Sequence, residues 1–219
     1  MRALLFLTLI STWTYGQSRL TINNPAPREG DEIDISITLE DKEEKIGEGR
    51  LTLTQILTET GPVTIGPFKF VIADKAYETD VITVTVLPKI SNDIKDGLWV
   101  RLVDFKGERY LIIEQRISNQ WKIEKKSDNE TTVTHGEGVK YAEFKKEILE
   151  DNGLDIPESY SWTKSQVLDE NDPFGSGTVS YKIETLKLEK TDKFKKIKVD
   201  KKSFNNFPDN IKIDEVWIE

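Results

Sequence analysis

The chain contains no cysteine, one histidine and one methionine in 219 residues. Without cysteine there is no disulfide, no thiolate ligand and no lipid-attachment site of the lipoprotein kind, so stability must come from packing. The single histidine, His135 in Thr-His-Gly-Glu-Gly, has no second histidine or cysteine to share a metal, and no nucleophile-elbow pattern accompanies it. It reads as a solvated turn residue. A glycine-rich phosphate loop is also missing. Basic residues are outnumbered, 31 against 39 acidic, for a formal net charge of -8. That balance disfavours nucleic acid and anionic lipid as partners.

Long apolar runs are confined to the first 17 residues, MRALLFLTLISTWTYGQ, where Arg2 precedes an apolar stretch and small residues precede Gln17. This pattern is that of a secretory signal peptide (1–17), too short to span a membrane stably. The chain is therefore expected to be exported, to the periplasm, the cell envelope or beyond the cell, with no transmembrane anchor after the signal. Without residues 1–17 about 202 remain, carrying 30 basic and 39 acidic side chains because Arg2 is lost. That is enough for one large β domain or two small ones.

What is present is β periodicity. The stretch from Thr60 to Leu87 reads as a two-stranded unit, entered at Gly61-Pro62 and folded back at Ala73 to Ala76. Phe68, Phe70 and Ile72 alternate with Lys69 and Val71, and Ile82, Val84 and Val86 alternate with Thr83 and Thr85, as half-buried strands require. Pro67 belongs at an edge or a bulge. Upstream, Ile33, Ile35, Ile37 and Leu39 share one face, and Leu51 and Leu53, with Ile56, take the inner side of the next strand. The β pattern restarts at Leu98–Phe105, Gly107–Ser118 and Trp121–Lys126.

Between these two regions, Pro88 to Lys95 concentrates Pro, Ser, Asn and Asp in the manner of a hinge. The expected fold is all-β, two tandem Ig-like antiparallel β-sandwich modules at 18–90 and 98–219 joined by a linker at 91–97. The second module has room for one short helix. Tyr141, Phe144 and Ile148 share a helical face that Asn152-Gly153 would stop, while Val139–Phe144 reads equally as a strand. Tyr181 to Asp200 and Ile211 to Ile218 repeat the pattern of the first module's ending at an offset of about 130 residues. In Lys-Phe-Lys-Lys-Ile-Lys-Val, a β-bulge at Lys195 or Lys196 would bring Phe194 onto the face of Ile197 and Val199.

Candidate sites are few. The acidic loop Asp169 to Gly177 fails calcium-loop spacing because Pro173 stands where Asp or Asn belongs, and it reads as a surface turn, as do Asp41, Glu43 and Glu44. No catalytic, cofactor-binding or metal site is expected. Lys193, Lys195, Lys196 and Lys198 belong to a lysine-rich segment that is either a docking surface for an acidic partner or a guard against strand pairing. Trp99 and Trp217 are expected in the core, whereas Trp121 and Trp162 are equally candidates for an exposed binding surface. Asn129 fits a glycosylation acceptor only where export passes a glycosylating compartment.

Gly61, Ile65, Pro67, Tyr77, Thr79 and the run Val81 to Leu87, together with Gly30-Asp31, Gly107-Glu108 and the serines 159, 161 and 165, resemble the Ig-like modules of the BatD-like oxygen-tolerance family. The likeness spans most of the chain after residue 18, through short motifs. It implies a non-catalytic scaffold or adaptor of the cell envelope, working with MoxR-type ATPases and von Willebrand factor A domain proteins. Members commonly continue into a membrane anchor, for which these residues hold no apolar run. The other reading is an exported carbohydrate- or ligand-binding β-sandwich, with Trp121 and Trp162 beside a groove.

Overall fold

Ile33, Ile35 and Ile37 lie two apart in an extended segment, so their side chains leave the strand on the same side. In the computed structural model of the chain, all three are at most 1% exposed. The structure describes residues 17–40, 49–72, 75–119, 122–127, 130–134, 140–169, 171 and 177–219. They fall into two compact units divided between Pro88 and Lys89, and the fold is all-β apart from one α-helical turn and one 3-10 turn.

In the first unit, strands β1 (Gln17–Ile22), β2 (Glu32–Glu40) and β3 (Gly49–Ile56) form an antiparallel sheet in that order. Strands β4 (Gly61–Ile65), β5 (Lys69–Ile72), β6 (Lys75–Glu78) and β7 (Ile82–Val86) form nested hairpins, β4 with β7 outside and β5 with β6 inside. The stretch expected to be two strands is thus four. The cis Gly66-Pro67 peptide separates β4 from β5, which keeps Pro67 out of every ladder. Thr79 ties the break closed, accepting from the Phe68 N–H at 2.9 Å and donating its own N–H to the Phe68 carbonyl at 3.0 Å. Ile65, Tyr77, Ile82, Val84 and Val86 supply the remaining core with Leu20 and Leu57, all at most 2% exposed. Immunoglobulin sandwiches place their second and third strands in opposite sheets, whereas here β2 and β3 are hydrogen-bonded neighbours.

Strand β3 does not bury its apolar residues as alternation suggests. Leu53 is half-buried, but Leu51 is 51% and Ile56 59% exposed. Leu51 lies opposite Ile37 and shares its inner face, but at the rim of the sheet, and Ile56 has the opposite parity and points outward.

The second unit is built on a long meander. Strands β8 (Gly97–Phe105) and β9 (Glu108–Asn119) form a hairpin, and β10 (Lys122–Ser127) and β11 (Glu130–Thr134) form another. There follow β12 (Glu143–Phe144), the helical turn α1 (Glu147–Glu150), β13 (Leu154–Asp155), β14 (Ser159–Val167) and β15 (Thr178–Lys190). The chain closes with β16 (Ile197–Val199), a 3-10 turn at Lys201–Ser203, β17 (Phe204–Asn205) and β18 (Val216–Ile218). In the main sheet β9 lies between β8 and β15, and β15 takes both β13 and β14 on its far side. One face of this sheet, through Leu98, Leu111, Ile113, Leu186 and Leu188, packs with Ala142, Leu149, Leu154, Ile197, Val199, Phe204 and Ile218. Burying each such aliphatic side chain stabilises the fold by roughly 1.5–3 kcal/mol.

The helical candidate divides into two structures. Gln115 accepts from the Ala142 N–H at 2.8 Å and donates to its carbonyl at 2.7 Å, as a neighbouring strand would, and β12 pairs with β17. Helix begins only at Glu147 and ends in a turn at Gly153, whose φ of +76° is the left-handed stop expected there. The bulge expected at Lys195 or Lys196 is not formed, because the chain turns at Thr191–Lys193 and β16 begins only at Ile197. Phe194 follows this turn and packs, half-buried, against the core cluster to which Ile197 and Val199 belong. β18 pairs with β16, but at the offset expected for the repeat β4 falls on 192–196, which is turn and coil, and nothing equivalent to the β5–β6 hairpin lies between β16 and β18. The residues expected to be a linker are fastened to the second unit. Arg116 donates to the carbonyls of Ile90 and Ser91 at 3.2 and 3.1 Å, and Asp96 accepts from the Ser118 N–H at 2.7 Å.

Candidate functional site

Alternation in β9 sends Leu111 and Ile113 into the core of the second unit and Tyr110, Ile112, Glu114 and Arg116 to the opposite face. On that second face, residues directly across the ladder form rows. One row runs Trp99, Glu114, Ile183, Trp162, from β8 through β9 and β15 to β14. Its two tryptophans stand about 14 Å apart, three strand spacings of ~4.8 Å. Both are half-buried.

Glu114 is 0% exposed, and a carboxylate so placed must be paired to remain charged. Arg101 and Tyr181 flank it diagonally. The Arg101 Nε donates to Oε2 at 3.0 Å, with a second guanidinium nitrogen also at 3.0 Å, and the Tyr181 hydroxyl donates to Oε1 at 2.6 Å. Trp162 meets the Tyr181 ring edge-to-face, with centroids 5.6 Å apart. The indole Nε1 of Trp162 and the hydroxyl of Thr185, one row along on the same face, are buried without a hydrogen-bond partner. Gly97 is required beside Trp99, since a Cβ there would lie 2.3 Å from the indole ring.

At the other end of the same face, Lys187 donates to Glu108 at 2.8 Å, and the Tyr110 hydroxyl donates to the same carboxylate at 2.6 Å. Glu108, foremost, and Glu158 raise the affinity of Lys187 for its proton above the ordinary lysine value. Asp104 receives Arg109 in a two-pronged pair, at 2.7 and 3.1 Å, and that guanidinium holds its carboxyl below the ordinary range. These carboxylates are committed to cations of the fold. Among the described residues no group of three or more His, Asp or Glu side chains could hold a metal ion.

The residues singled out in the sequence are not assembled into one site. Trp162 belongs to the row just described. Trp121, His135, Asn129, Asp41, Glu43, Glu44 and most of the loop Asp169 to Gly177 lie outside the described residues. Lys193 and Lys195 are exposed around the Thr191 turn. Lys196 pairs with Glu219 and lies over the Trp217 ring, 4.6 Å from its centroid. Lys198 donates to Glu215 at 2.7 Å and stands 3.2 Å from Asp200, and these two raise its affinity for its proton. At least two of the four lysines are therefore matched to local carboxylates.

Trp217, expected in the core, is 48% exposed. The reason is parity: Val216 and Ile218 pack on the core side of the β16–β18 ribbon, so the residue between them points outward. Sequence reasoning missed Arg101, Glu114 and Tyr181. The available signal was a Glu inside the apolar run Leu-Ile-Ile-Glu-Gln-Arg, where a charge has to find a partner.

The geometry defines an all-β protein of two units, the second with a polar-aromatic sheet face on which Glu114 and Glu108 are paired with Arg101 and Lys187. No family model, no curated protein and no solved structure matches this chain. Among the described residues no helix is long and apolar enough to cross a membrane.

Proposed function

We propose that the chain is an exported, non-catalytic protein of the cell envelope that acts as a scaffold or adaptor in a protein complex, the role implied by its resemblance to BatD-like oxygen-tolerance proteins. One observation carries the non-catalytic part. Glu114, 0% exposed, accepts from Arg101 on one oxygen and from Tyr181 on the other, so both oxygens are engaged within the fold. A general acid or base needs an oxygen free for substrate and a pKa near working pH. Binding, by contrast, asks only for surface, which each of the two β units provides. The signal-like pattern of residues 1–17, with Arg2 ahead of an apolar stretch, supports the envelope address. The test is affinity capture from envelope extracts with the mature chain, with proteins identified by mass spectrometry. Recovery of MoxR-type ATPases or von Willebrand factor A domain proteins in stoichiometric amount is the expected result, and a complex lacking both overturns the assignment.

A second reading is an exported carbohydrate- or ligand-binding β-sandwich, in which Trp162, half-buried at the end of its row on β14, would take part. Glu114 and Ile183 between it and Trp99 are 0% exposed, so only the outer part of the Trp162 ring could meet a sugar. Affinity electrophoresis in polysaccharide gels decides it: retardation abolished by Trp162→Ala supports this reading, and equal mobility of the wild type in all gels dismisses it.

A further inference from the structure

The two edges of the first unit's sheet are finished differently. At β1 the Leu20 N–H, which points away from β2, donates to the Asp80 carboxylate at 3.1 Å, and the Ser18 hydroxyl donates to the Glu78 carbonyl at 2.8 Å. Acceptor oxygens already occupy the place where the carbonyls of an incoming strand would lie. Among the described residues β3 has no such guard and pairs with β2 alone.

The register shows which backbone groups are left open. Leu57 donates to the Asp31 carbonyl at 3.0 Å, continuing the β2–β3 ladder. Antiparallel pairing alternates, so Leu51, Leu53 and Gln55 also turn their backbone groups toward β2. The N–H and C=O groups of Arg50, Thr52, Thr54 and Ile56 therefore point outward along the edge. Side chains leave that edge clear. Arg50 folds back over the sheet onto the Ser36 hydroxyl, at 2.8 and 3.2 Å, and Thr54 donates to Asp34 at 3.1 Å. The strand has neither proline nor lysine, the usual means of blocking an edge.

We propose that this edge is where a second copy of the chain docks, β3 against β3 antiparallel about a two-fold axis at Leu53. The occupant follows from self-complementarity. In that register Thr52 faces the partner's Thr54, Arg50 faces the partner's Ile56, and Leu51 faces the partner's Gln55. Each outward-pointing N–H and C=O meets its complement, threonines lie opposite threonines, and no like charges oppose each other. Leu53 meets its own copy at a non-hydrogen-bonded position, where side chains approach most closely. Leu51, 51% exposed in one copy, then lies inside a continuous sheet carrying Ile33, Ile35 and Ile37 of both. The inference goes beyond the adaptor role and stands without it, since a chain that captures no envelope protein can still pair with itself.

Sedimentation of the purified mature chain over micromolar concentrations tests the proposal, the expected result being a mass that rises from one chain toward two and no further. Thr52→Pro removes an N–H that β2 does not use, and Ile56→Arg sets like charges opposite one another. Both variants should be monomeric with wild-type circular dichroism and thermal midpoint. In a chain without cysteine, Leu53→Cys should cross-link to a dimer under mild oxidation, because partners at that position lie about 4.5 Å apart between Cα atoms, whereas Val71→Cys, on an exposed position of β5, should not. A wild type that stays monomeric throughout, or a dimer indifferent to both Thr52→Pro and Ile56→Arg, overturns the proposal. Ile56→Arg decides the matter alone should Thr52→Pro fail to fold.

Discussion

Glu114 shows what a single residue can require of a sheet. Its carboxylate is 0% exposed, and Arg101 and Tyr181 must stand on its two sides for the charge to be tolerated. Glu114→Ala strands the guanidinium and should cost about 3–5 kcal/mol in urea unfolding. Replacing Glu114 and Arg101 together by Leu should cost far less, because a buried pair often does no better than apolar groups of similar volume. If the double variant is as unstable as the single one, the pair is not what holds this face. Gly153 is a second such residue. At φ +76°, with a built Cβ 2.7 Å from the backbone of Lys193 and Phe194, it lets the helical turn lie against the Thr191 turn. Gly153→Ala should lose about 1–3 kcal/mol from the left-handed backbone alone, read as a lowered denaturation midpoint. The role of Gly153 as a stop was legible locally, since Asn-Gly after an apolar face is a chemical signal. Its second role was not, because the clash is with residues 193 and 194, some forty positions away.

At the scale of elements, the β16–β18 ribbon separates pattern from position. Ile218 is 0% exposed and Trp217 48%. Ile218→Ala should cost about 2–5 kcal/mol and Trp217→Thr only about 0.5–1 kcal/mol, the worth of its exposed contact with Lys196, measured by chemical denaturation. Equal losses would place both on one face and refute the parity argument. The same ribbon carries part of the pH response. Lys196 holds the Glu219 carboxyl below its ordinary value. At Asp200 burial pushes the carboxyl up, but the Lys202 N–H and the Lys198 ammonium more than offset this, leaving it lowered. Asp104 is lowered by Arg109. A carboxylate depressed in the folded state contributes stability that is complete above its unfolded value, near pH 4, and is lost as pH falls through the folded value. The urea midpoint of the second unit should therefore decline from about pH 5 downward, with a shallower slope in the Arg109→Ala, Lys196→Ala double variant. An unchanged slope would mean these pairs form equally in the unfolded chain.

Taken whole, the molecule is two units, each described by its own core. Every member of the second unit's core cluster lies between Leu98 and Ile218, and the hinge-like residues Ile90, Ser91 and Asp96 are fastened to Arg116 and Ser118. Residues 89–219 expressed alone should give a cooperative unfolding transition, observed by tryptophan fluorescence, with a midpoint close to that of the same unit in the full chain. A broad, non-cooperative transition would show that the second unit depends on the first.

Alternating side chains by themselves determined the β class and the faces of β2 and β7, because strand periodicity acts between near neighbours. Which strand lies at an edge was decided only by tertiary structure. That is why Leu51 and Ile56, apolar and in a strand as read, proved exposed, and why the row from Trp99 through Glu114 to Trp162 came together from three separate parts of the chain. Pairing partners are chosen by the free energy of the whole sheet, which no short window of sequence contains.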